Sequence, residues 1–169
     1  MKLAEERHIA AEPAVVWAAL LNPEVLKHSV PGCESITGSV ADGFEAVVVQ
    51  KVGPVKARFT GKVTFSDIVE GHSLRIAGEG QGGVAGFARG GANVTMAQAE
   101  GGTLLSYDVD ASVGGKIAQL GSRIIDGFAK NMAGQFFDNF QHAVEPPDAA
   151  EEPVAEEVQK KGWFKRLIS

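Results

Sequence analysis

The stretch VKARFTGKVTFS (residues 55–66) alternates apolar and polar side chains without a break. Its odd-numbered positions, from Val55 to Phe65, are apolar or glycine, and its even-numbered positions, from Lys56 to Ser66, are polar or charged. A period of two predicts an antiparallel β-strand with one face packed and the other face in water. The fold must therefore supply a layer that covers the dry face of a sheet.

Further strands are predicted on both sides of this one. Residues 103–111 repeat the alternation, with Leu105, Tyr107 and Val109 on the apolar face. The first ten residues suggest one more short strand. Turn signals separate the runs at Asp42-Gly43, Gly53-Pro54, Glu70-Gly71 and Gly101-Gly102. Regularly spaced turns between alternating runs predict a meander.

Two segments have helical periodicity instead. AEPAVVWAALLN (residues 11–22) predicts a helix that opens at Pro13 and ends at Asn22-Pro23. Residues 116–142 carry apolar side chains at helical spacing and predict one long C-terminal helix. The order of elements indicates an α+β fold in which the long helix covers the sheet.

The segment GEGQGGVAGFARGGANV (residues 78–94) contains seven glycines. Continuing the alternation from the flanking apolar residues leaves only small residues on the dry face, namely Gly78, Gly80, Ala88, Gly90 and Ala92. The predicted long helix also lacks side chains at three positions, Gly121, Gly127 and Gly134. Either backbones pack closely there or a cavity stays open. Because small residues occur on both opposed surfaces beside large apolar ones, we expect an apolar cavity between sheet and helix.

The candidate ligand-binding residues share inward parity on the strands or the apolar stripe of the helix. They are Phe59, Val63, Phe65, Leu74, Ile76, Val94, Met96, Tyr107, Phe128, Met132 and Phe136. Tyr107 is the inward residue with a titratable hydroxyl, and we expect it to offer one hydrogen bond to a ligand carbonyl.

The sequence does not favour catalysis. Gly78, Gly80 and Gly83 spell G-x-G-x-x-G, but a strand follows where a dinucleotide site needs a helix. The four histidines have no ligand spacing, and no serine or cysteine lies in a nucleophile motif. Cys33 is either a reactive thiol or, as we favour, a small buried residue. Asp108 and Asp110 share a face and could act as a carboxylate pair, but their alternation points them to water, so we favour a solvated strand face. With almost all inward residues apolar, we expect a non-catalytic protein with no metal site and no covalent cofactor.

Composition narrows the class of protein. The chain has 169 residues and a net charge of −5, with 44 % apolar and 22 % charged residues, as in a globular domain. A mildly acidic body argues against nucleic-acid binding. The lone Cys33 excludes an internal disulfide. Neither a signal peptide nor a spanning segment is evident, so a cytoplasmic protein is expected.

The C-terminal residues differ from the rest. We expect a folded domain over residues 1–144, an acidic flexible tether over 145–159 with six carboxylates, and a basic-aromatic tip over 160–169. The residues predicted to bind an anionic membrane are Lys160, Lys161, Trp163, Phe164, Lys165, Arg166, Leu167 and Ile168. Apolar and cationic side chains on opposite arcs are typical of an interfacial anchor on the inner face of the cell membrane. Alternatively the tip docks in a partner's groove or folds over the domain's own cavity.

Four stretches together resemble the family of carbon monoxide dehydrogenase G subunits, within the START/Bet v 1-like (SRPBCC) superfamily. They are VWAALLNPEVLKHSVPGCES (16–35), KVGPVKARFTGKVTFSD (51–67), the glycine segment (78–94) and LSYDVDASVGGKIAQLGSRIIDGFAKNMAGQFFDNF (105–140). The resemblance implies a helix-grip fold, in which a curved antiparallel sheet wraps around a long C-terminal helix and an internal apolar cavity. It also implies a non-catalytic accessory protein of an aerobic molybdenum carbon monoxide dehydrogenase, or of a related molybdenum hydroxylase, placed at the membrane.

Three functions are compatible with this sequence. A membrane-tethered carrier would hold an apolar ligand, for which a respiratory quinone, menaquinone or ubiquinone, is the natural candidate beside an oxidase. A recruitment scaffold would bind the dehydrogenase and lipid with no ligand to deliver. A START-like enzyme would act on a cyclic hydrophobic substrate, but it would need inward polar groups.

Overall fold

Residues 1–146 are described by the structure, a computed structural model. Within this range the strands are β1 (Lys2–Ile9), β2 (Cys33–Ser39), β3 (Gly43–Val52), β4 (Val55–Val69), β5 (Ser73–Gln81), β6 (Phe87–Ala99) and β7 (Gly102–Gly114). They form one antiparallel sheet in the order β1-β7-β6-β5-β4-β3-β2. The predicted meander is therefore confirmed from β2 to β7. Strand β1 pairs with β7 and forms one edge of the sheet, and β2 forms the other.

Two short helices cross from β1 to the opposite edge of the sheet. They are α1 (Pro13–Leu20) and α2 (Pro23–Ser29), and each begins with proline, whose missing N–H has no helical partner to lose. The Asn22 side chain accepts a hydrogen bond from the Glu24 N–H at 2.9 Å and so caps α2. The helix predicted to end at Asn22 is thus followed at once by a second.

The C-terminal helix α3 (Ser122–Val144) lies on the inner face of the curved sheet. The prediction of one helix from residue 116 is wrong at its start, because Gly115–Leu120 is a 3-10 helix and Gly121 has a φ of +94°. A 3-10 helix repeats every three residues, so Ile117 and Leu120 share a face just as they would in an α-helix. The apolar spacing alone did not distinguish the two.

The register confirms which residues of the glycine segment face inward. Gly78 pairs with Gly90, Gly80 with Ala88 and Ile76 with Ala92 across β5 and β6. The long strand β4 keeps its predicted alternation through Ser66 and then bulges, with Asp67 at a φ of +51°. The sheet and helix together form the expected helix-grip arrangement.

The densest core lies where α1 meets the sheet and the end of α3. Val16, Trp17 and Leu20 of α1 pack there against Leu105 of β7 and Phe140 of α3, all at most 5 % exposed. A much smaller cluster, formed by Val52, Ala85 and Ile117, lies near the start of α3. Packing is therefore uneven along α3.

No helix within residues 1–146 combines the length and the apolar character needed to cross a bilayer.

Candidate ligand cavity

Two apolar chambers lie between the inner face of the sheet and α3. The outer chamber has a volume of about 620 Å³ and the inner chamber about 360 Å³. Both are lined by Val48, Val109 and Ala133, so these three side chains form the boundary between the chambers. Ligand pockets of proteins span roughly 300–1,000 Å³, so either chamber is large enough to hold a molecule.

Nine of the eleven predicted ligand-binding residues line one of these chambers. Phe59, Phe128 and Met132 line the outer chamber. Val63, Phe65, Ile76, Val94, Tyr107 and Phe136 line the inner chamber.

Leu74 and Met96 are the two exceptions. They have the predicted inward parity and are only 3 % and 5 % exposed, but they line neither chamber. Both belong to the core cluster that also contains Val16 and Trp17 of α1, so they pack in the core rather than face open space. Parity indicated the correct face of the sheet but not which layer packs on it.

Sequence reasoning missed the contribution of β3. Val48, Gln50 and Val52 line the outer chamber, and their spacing of two residues is the signal that could have found them. Gln50 interrupts that apolar pattern. Its Nε2 donates a hydrogen bond to the Pro31 carbonyl, which accounts for an amide on the inner face.

The small residues have two different roles, so each competing interpretation applies at some positions. Gly80 and Ala88 line the outer chamber, and Ala92 lines the inner one. A Cβ at Gly80 would meet Phe59 at an ordinary 3.8 Å, whereas one at Gly90 would lie 2.4 Å from the Asp110 carbonyl oxygen. Gly90 therefore allows close approach of two backbones and contributes no open volume.

The helical glycines also differ from expectation. Gly121 lines the outer chamber, but Gly127 and Gly134 lie on the outer side of α3 beside Lys130 and Asp138. Their expected role in thinning the cavity side is wrong. One residue advances about 100° around a helix, so Gly127 faces away although its neighbour Phe128 lines the cavity.

Polar groups are few and unevenly distributed around the two chambers. Gln50, Ser112, Ser122 and Asp126 line the outer chamber, and of these Ser112, Ser122 and Asp126 are exposed. The inner chamber carries the Cys33 thiol and the Tyr107 ring. Burial raises the pKa of Cys33, and its Sγ lies 3.5 Å from the Ser35 carbonyl oxygen. The thiol is therefore neutral near pH 7, and Cys33 is partly buried at the chamber wall rather than fully buried as expected.

Tyr107 does not have the free hydroxyl that the sequence suggested. Its Oη donates a hydrogen bond to Glu5 Oε1 at 2.6 Å, and burial together with Glu5 raises its pKa far above the ordinary value. The expected hydrogen bond to a ligand carbonyl is not supported, because the phenolic proton is already donated.

Strand β1 carries charged residues at inward positions, which the sequence analysis did not anticipate. Arg7 donates to Asp138 Oδ1 and Gln141 Oε1, both at 2.8 Å, and its guanidinium lies 5.6 Å from the centre of the Phe137 ring. Neither Glu5 nor Arg7 lines a chamber. Glu5 instead bonds β1 to Tyr107 of β7, and Arg7 bonds β1 to the end of α3.

The chain matches the family model of CoxG, the G subunit of carbon monoxide dehydrogenase, over residues 6–145. No curated protein matches it. A conserved protein of Geobacillus kaustophilus superimposes with a TM-score of 0.79 at 25 % identity, covering 85 % of this chain and 95 % of that one. A START superfamily protein of Mycobacterium smegmatis gives 0.63 at 13 % identity (85 % and 96 %), and a protein of Thermus thermophilus gives 0.63 at 16 % (85 % and 97 %).

These likenesses make the fold START-like, as the sequence predicted. The family match covers most of the domain, from within β1 to the residue after α3. The chain belongs to the CoxG family, the G subunits of carbon monoxide dehydrogenase.

Proposed function

We propose that this protein is a non-catalytic carrier of an apolar ligand, held at the inner face of the cell membrane beside a carbon monoxide dehydrogenase. The two adjoining apolar chambers are the observation that carries the proposal. The family name supports carbon monoxide dehydrogenase as the partner, and the proposal takes it to be the molybdenum-containing enzyme or a related molybdenum hydroxylase. A respiratory quinone such as menaquinone or ubiquinone is the proposed ligand, because an oxidase needs an electron acceptor that otherwise stays in lipid.

The distribution of polar groups suggests how such a ligand would lie. A polar head group would stay in the outer chamber, where Gln50, Ser112 and Ser122 offer hydrogen bonds. The apolar tail would extend past Val109 into the inner chamber. Burying each CH₂ group of a tail contributes about 0.8 kcal/mol, so a few isoprenoid units would give a strong driving force.

The groups facing the inner chamber favour binding over chemistry. The Cys33 thiol has a raised pKa, and the Tyr107 proton is donated to Glu5. A general acid or base must exchange a proton with the ligand near neutral pH. Neither group meets that requirement, which supports a carrier rather than an enzyme.

Membrane attachment through the C-terminal tip is part of the same proposal. The tip, and the tether from residue 147 onward, lie outside the described residues. The proposal for them rests on sequence, where four cations of the tip are interleaved with Trp163 and Phe164. Such segments bind anionic leaflets reversibly, far more weakly than a spanning helix.

The decisive experiment is organic-solvent extraction of the purified full-length protein, followed by mass spectrometry. The carrier proposal expects a quinone or another membrane lipid in near-stoichiometric amount, released only on denaturation. Protein purified from membrane-containing lysate with an empty cavity would overturn it and favour the recruitment scaffold. Conversion of the ligand by the isolated protein would overturn its non-catalytic part.

A further inference from the structure

The two ends of the sheet have opposite charge. Successive hairpin turns lie at alternate ends of an antiparallel meander. We call residues 51–56, 82–86 and 114–126 the basic end, which carries Lys51, Lys56, Lys116 and Arg123 against one acid, Asp126. The turns at 10–12, 40–42, 67–72 and 99–101 form the acidic end, which carries Glu12, Asp42, Asp67, Glu70 and Glu100 and no lysine or arginine.

The segments of the basic end lie together in space. A Cβ at Gly53 would lie 3.6 Å from Leu120 and 3.7 Å from Ile124, which joins the β3–β4 turn to the start of α3. Val52, Ala85 and Ile117 form one packed cluster, which joins the 82–86 loop to both. The positive end of the α3 dipole points the same way, since Ser122 begins that helix.

The mouth of the outer chamber opens at the basic end. Ala118, Gly121, Ser122 and Asp126 line the chamber and are themselves exposed. The cations Lys116 and Arg123 lie within the same segment of chain. The charged side chain that lines the mouth is therefore an acid, Asp126, and the positive charge of this end comes from cations that lie near the mouth without lining it.

Two apolar side chains project from this end. Val84 is 92 % exposed at the tip of the 82–86 loop, where Gly83 and Gly86 have φ values of +65° and +112°. Ile124 is 41 % exposed on the first turn of α3. The acidic end also exposes Ile68 and Val69, but Asp67 and Glu70 flank them. Charge, rather than exposed apolar area, distinguishes the two ends.

We propose that the basic end docks on an anionic lipid bilayer and sets the mouth of the outer chamber directly on the lipid. Cations attract the anionic leaflet, and exposed apolar side chains enter the boundary between head groups and acyl chains. This inference rests on the proposed function, because a mouth that faces lipid is useful only if the cavity takes its ligand from the bilayer. It deepens that function by assigning the path by which the ligand moves between bilayer and cavity.

This docking surface is separate from the C-terminal tip. The Ala10 N–H donates to Glu145 Oε2 at 2.9 Å, so the chain leaves the domain at the acidic end. Contact through the basic end therefore uses residues of the folded domain, on the side away from the tether's origin.

The test places a nitrobenzoxadiazole label at one position in the full-length chain. With Cys33, the sole cysteine, replaced by alanine, Val84→Cys labels the basic end and Val69→Cys is the matched control at the acidic end. Vesicles are phosphatidylcholine with or without phosphatidylglycerol. We expect the emission at position 84 to shift to the blue and to be quenched by spin-labelled lipid only on anionic vesicles, with position 69 unchanged. Equal responses, or none at position 84, would overturn the docking surface.

A charge-reversal pair supplies the second measurement. Lys51→Glu/Lys116→Glu removes cations from the basic end, and Lys27→Glu/Lys130→Glu makes the same change of net charge elsewhere. We expect the first pair to weaken vesicle binding about tenfold or more, and the second much less. Equal losses would show attraction by net charge alone and would overturn the proposal. So would a response of position 84 to purified dehydrogenase but not to vesicles.

Failure of this inference differs from failure of the carrier proposal. A protein that yields a bound quinone on extraction, while position 84 ignores lipid, keeps the carrier and loses the docking surface. A protein whose position 84 enters the bilayer, while its cavity is empty, keeps the docking surface and loses the carrier.

Discussion

Tyr107 donates its phenolic proton to Glu5 across the β1–β7 pair, with 2.6 Å between the two oxygen atoms. The ring of Tyr107 stacks on Phe137 of α3, with centroids 4.8 Å apart and planes 20° from parallel. One side chain thus lines the inner chamber, joins the N-terminal strand to its neighbour and packs on the long helix. The hydroxyl of Tyr107 therefore stabilises the fold, and its ring forms part of the wall of the inner chamber.

The first prediction concerns the ionisation of Tyr107, the only tyrosine of the chain. Burial and the neighbouring Glu5 raise its pKa in the folded protein, whereas an unfolded tyrosine has a pKa of roughly 10. The stability that depends on the protonated hydroxyl is therefore complete below about pH 10 and is lost as the pH rises further. Tyrosinate absorbance should appear only as the protein unfolds in alkali. A normal, reversible titration of the folded protein would contradict the geometry.

Replacing this hydroxyl gives a second prediction. Tyr107→Phe leaves half-buried Glu5 without its donor and should lower the free energy of unfolding by about 1–2 kcal/mol. The alkaline loss of stability should become smaller in the same variant. Glu5→Gln is the control, since it keeps an acceptor and removes the charge. Denaturant unfolding at neutral and alkaline pH measures both effects, and unchanged values in Tyr107→Phe would contradict the assigned bond.

The third prediction tests the cavity by filling it. Ala92 lines the inner chamber, whereas Ala97 on the same strand is exposed. Ala92→Leu should lose most of the bound ligand while the domain stays folded, at a cost of no more than about 1–3 kcal/mol. Ala97→Leu should keep the ligand. Extraction and mass spectrometry of both variants decide, and equal ligand content would show that the inner chamber is not occupied.

Much of the fold could be predicted from the sequence, because apolar and polar residues alternate almost without exception along β4 and β7. A period of two fixes the face of a residue wherever one side of a sheet is buried, so the inward parity of Val63, Phe65 and Tyr107 was reliable. Parity does not reveal the covering layer. Leu74 and Met96 pack in one core cluster with residues of α1. Tyr107 and Glu5 are 102 residues apart in sequence, so no local pattern could have indicated their hydrogen bond.

Glycine was the least predictable residue type. The missing side chain leaves open volume at Gly80, allows close backbone contact at Gly90, and permits a φ of +94° at Gly121, between the 3-10 helix and α3. These uses look identical in sequence. Only the three-dimensional neighbours of each position separate them.

A fourth prediction compares ordinary packing with close backbone contact at the two glycines of one cross-strand pair. Gly78 and Gly90 face each other across β5 and β6. A Cβ at Gly78 would find its nearest neighbours at 3.6 and 3.7 Å, whereas at Gly90 it would meet the Asp110 carbonyl oxygen at 2.4 Å. Gly78→Ala should change the free energy of unfolding by less than about 1 kcal/mol. Gly90→Ala should destabilise by about 1–3 kcal/mol. Equal effects in denaturant unfolding would refute the difference in packing.

The last prediction concerns two attachments to one membrane. A flexible tether over residues 145–159, as proposed from the sequence, would reach roughly 20 Å or more, whereas α3, with 23 residues, is about 35 Å long. A tip bound to lipid therefore holds the basic end only loosely against the same surface, and linkage adds little avidity. In flotation with anionic vesicles, ending the chain at Gln159 should weaken binding, and Lys51→Glu/Lys116→Glu should weaken it separately. Combined, the two changes should abolish flotation, because each site otherwise binds the vesicle without help from the other. If the shortened chain floats as well as the full one, the tip is not an anchor. If it does not float at all, the basic end cannot hold the domain at the bilayer by itself.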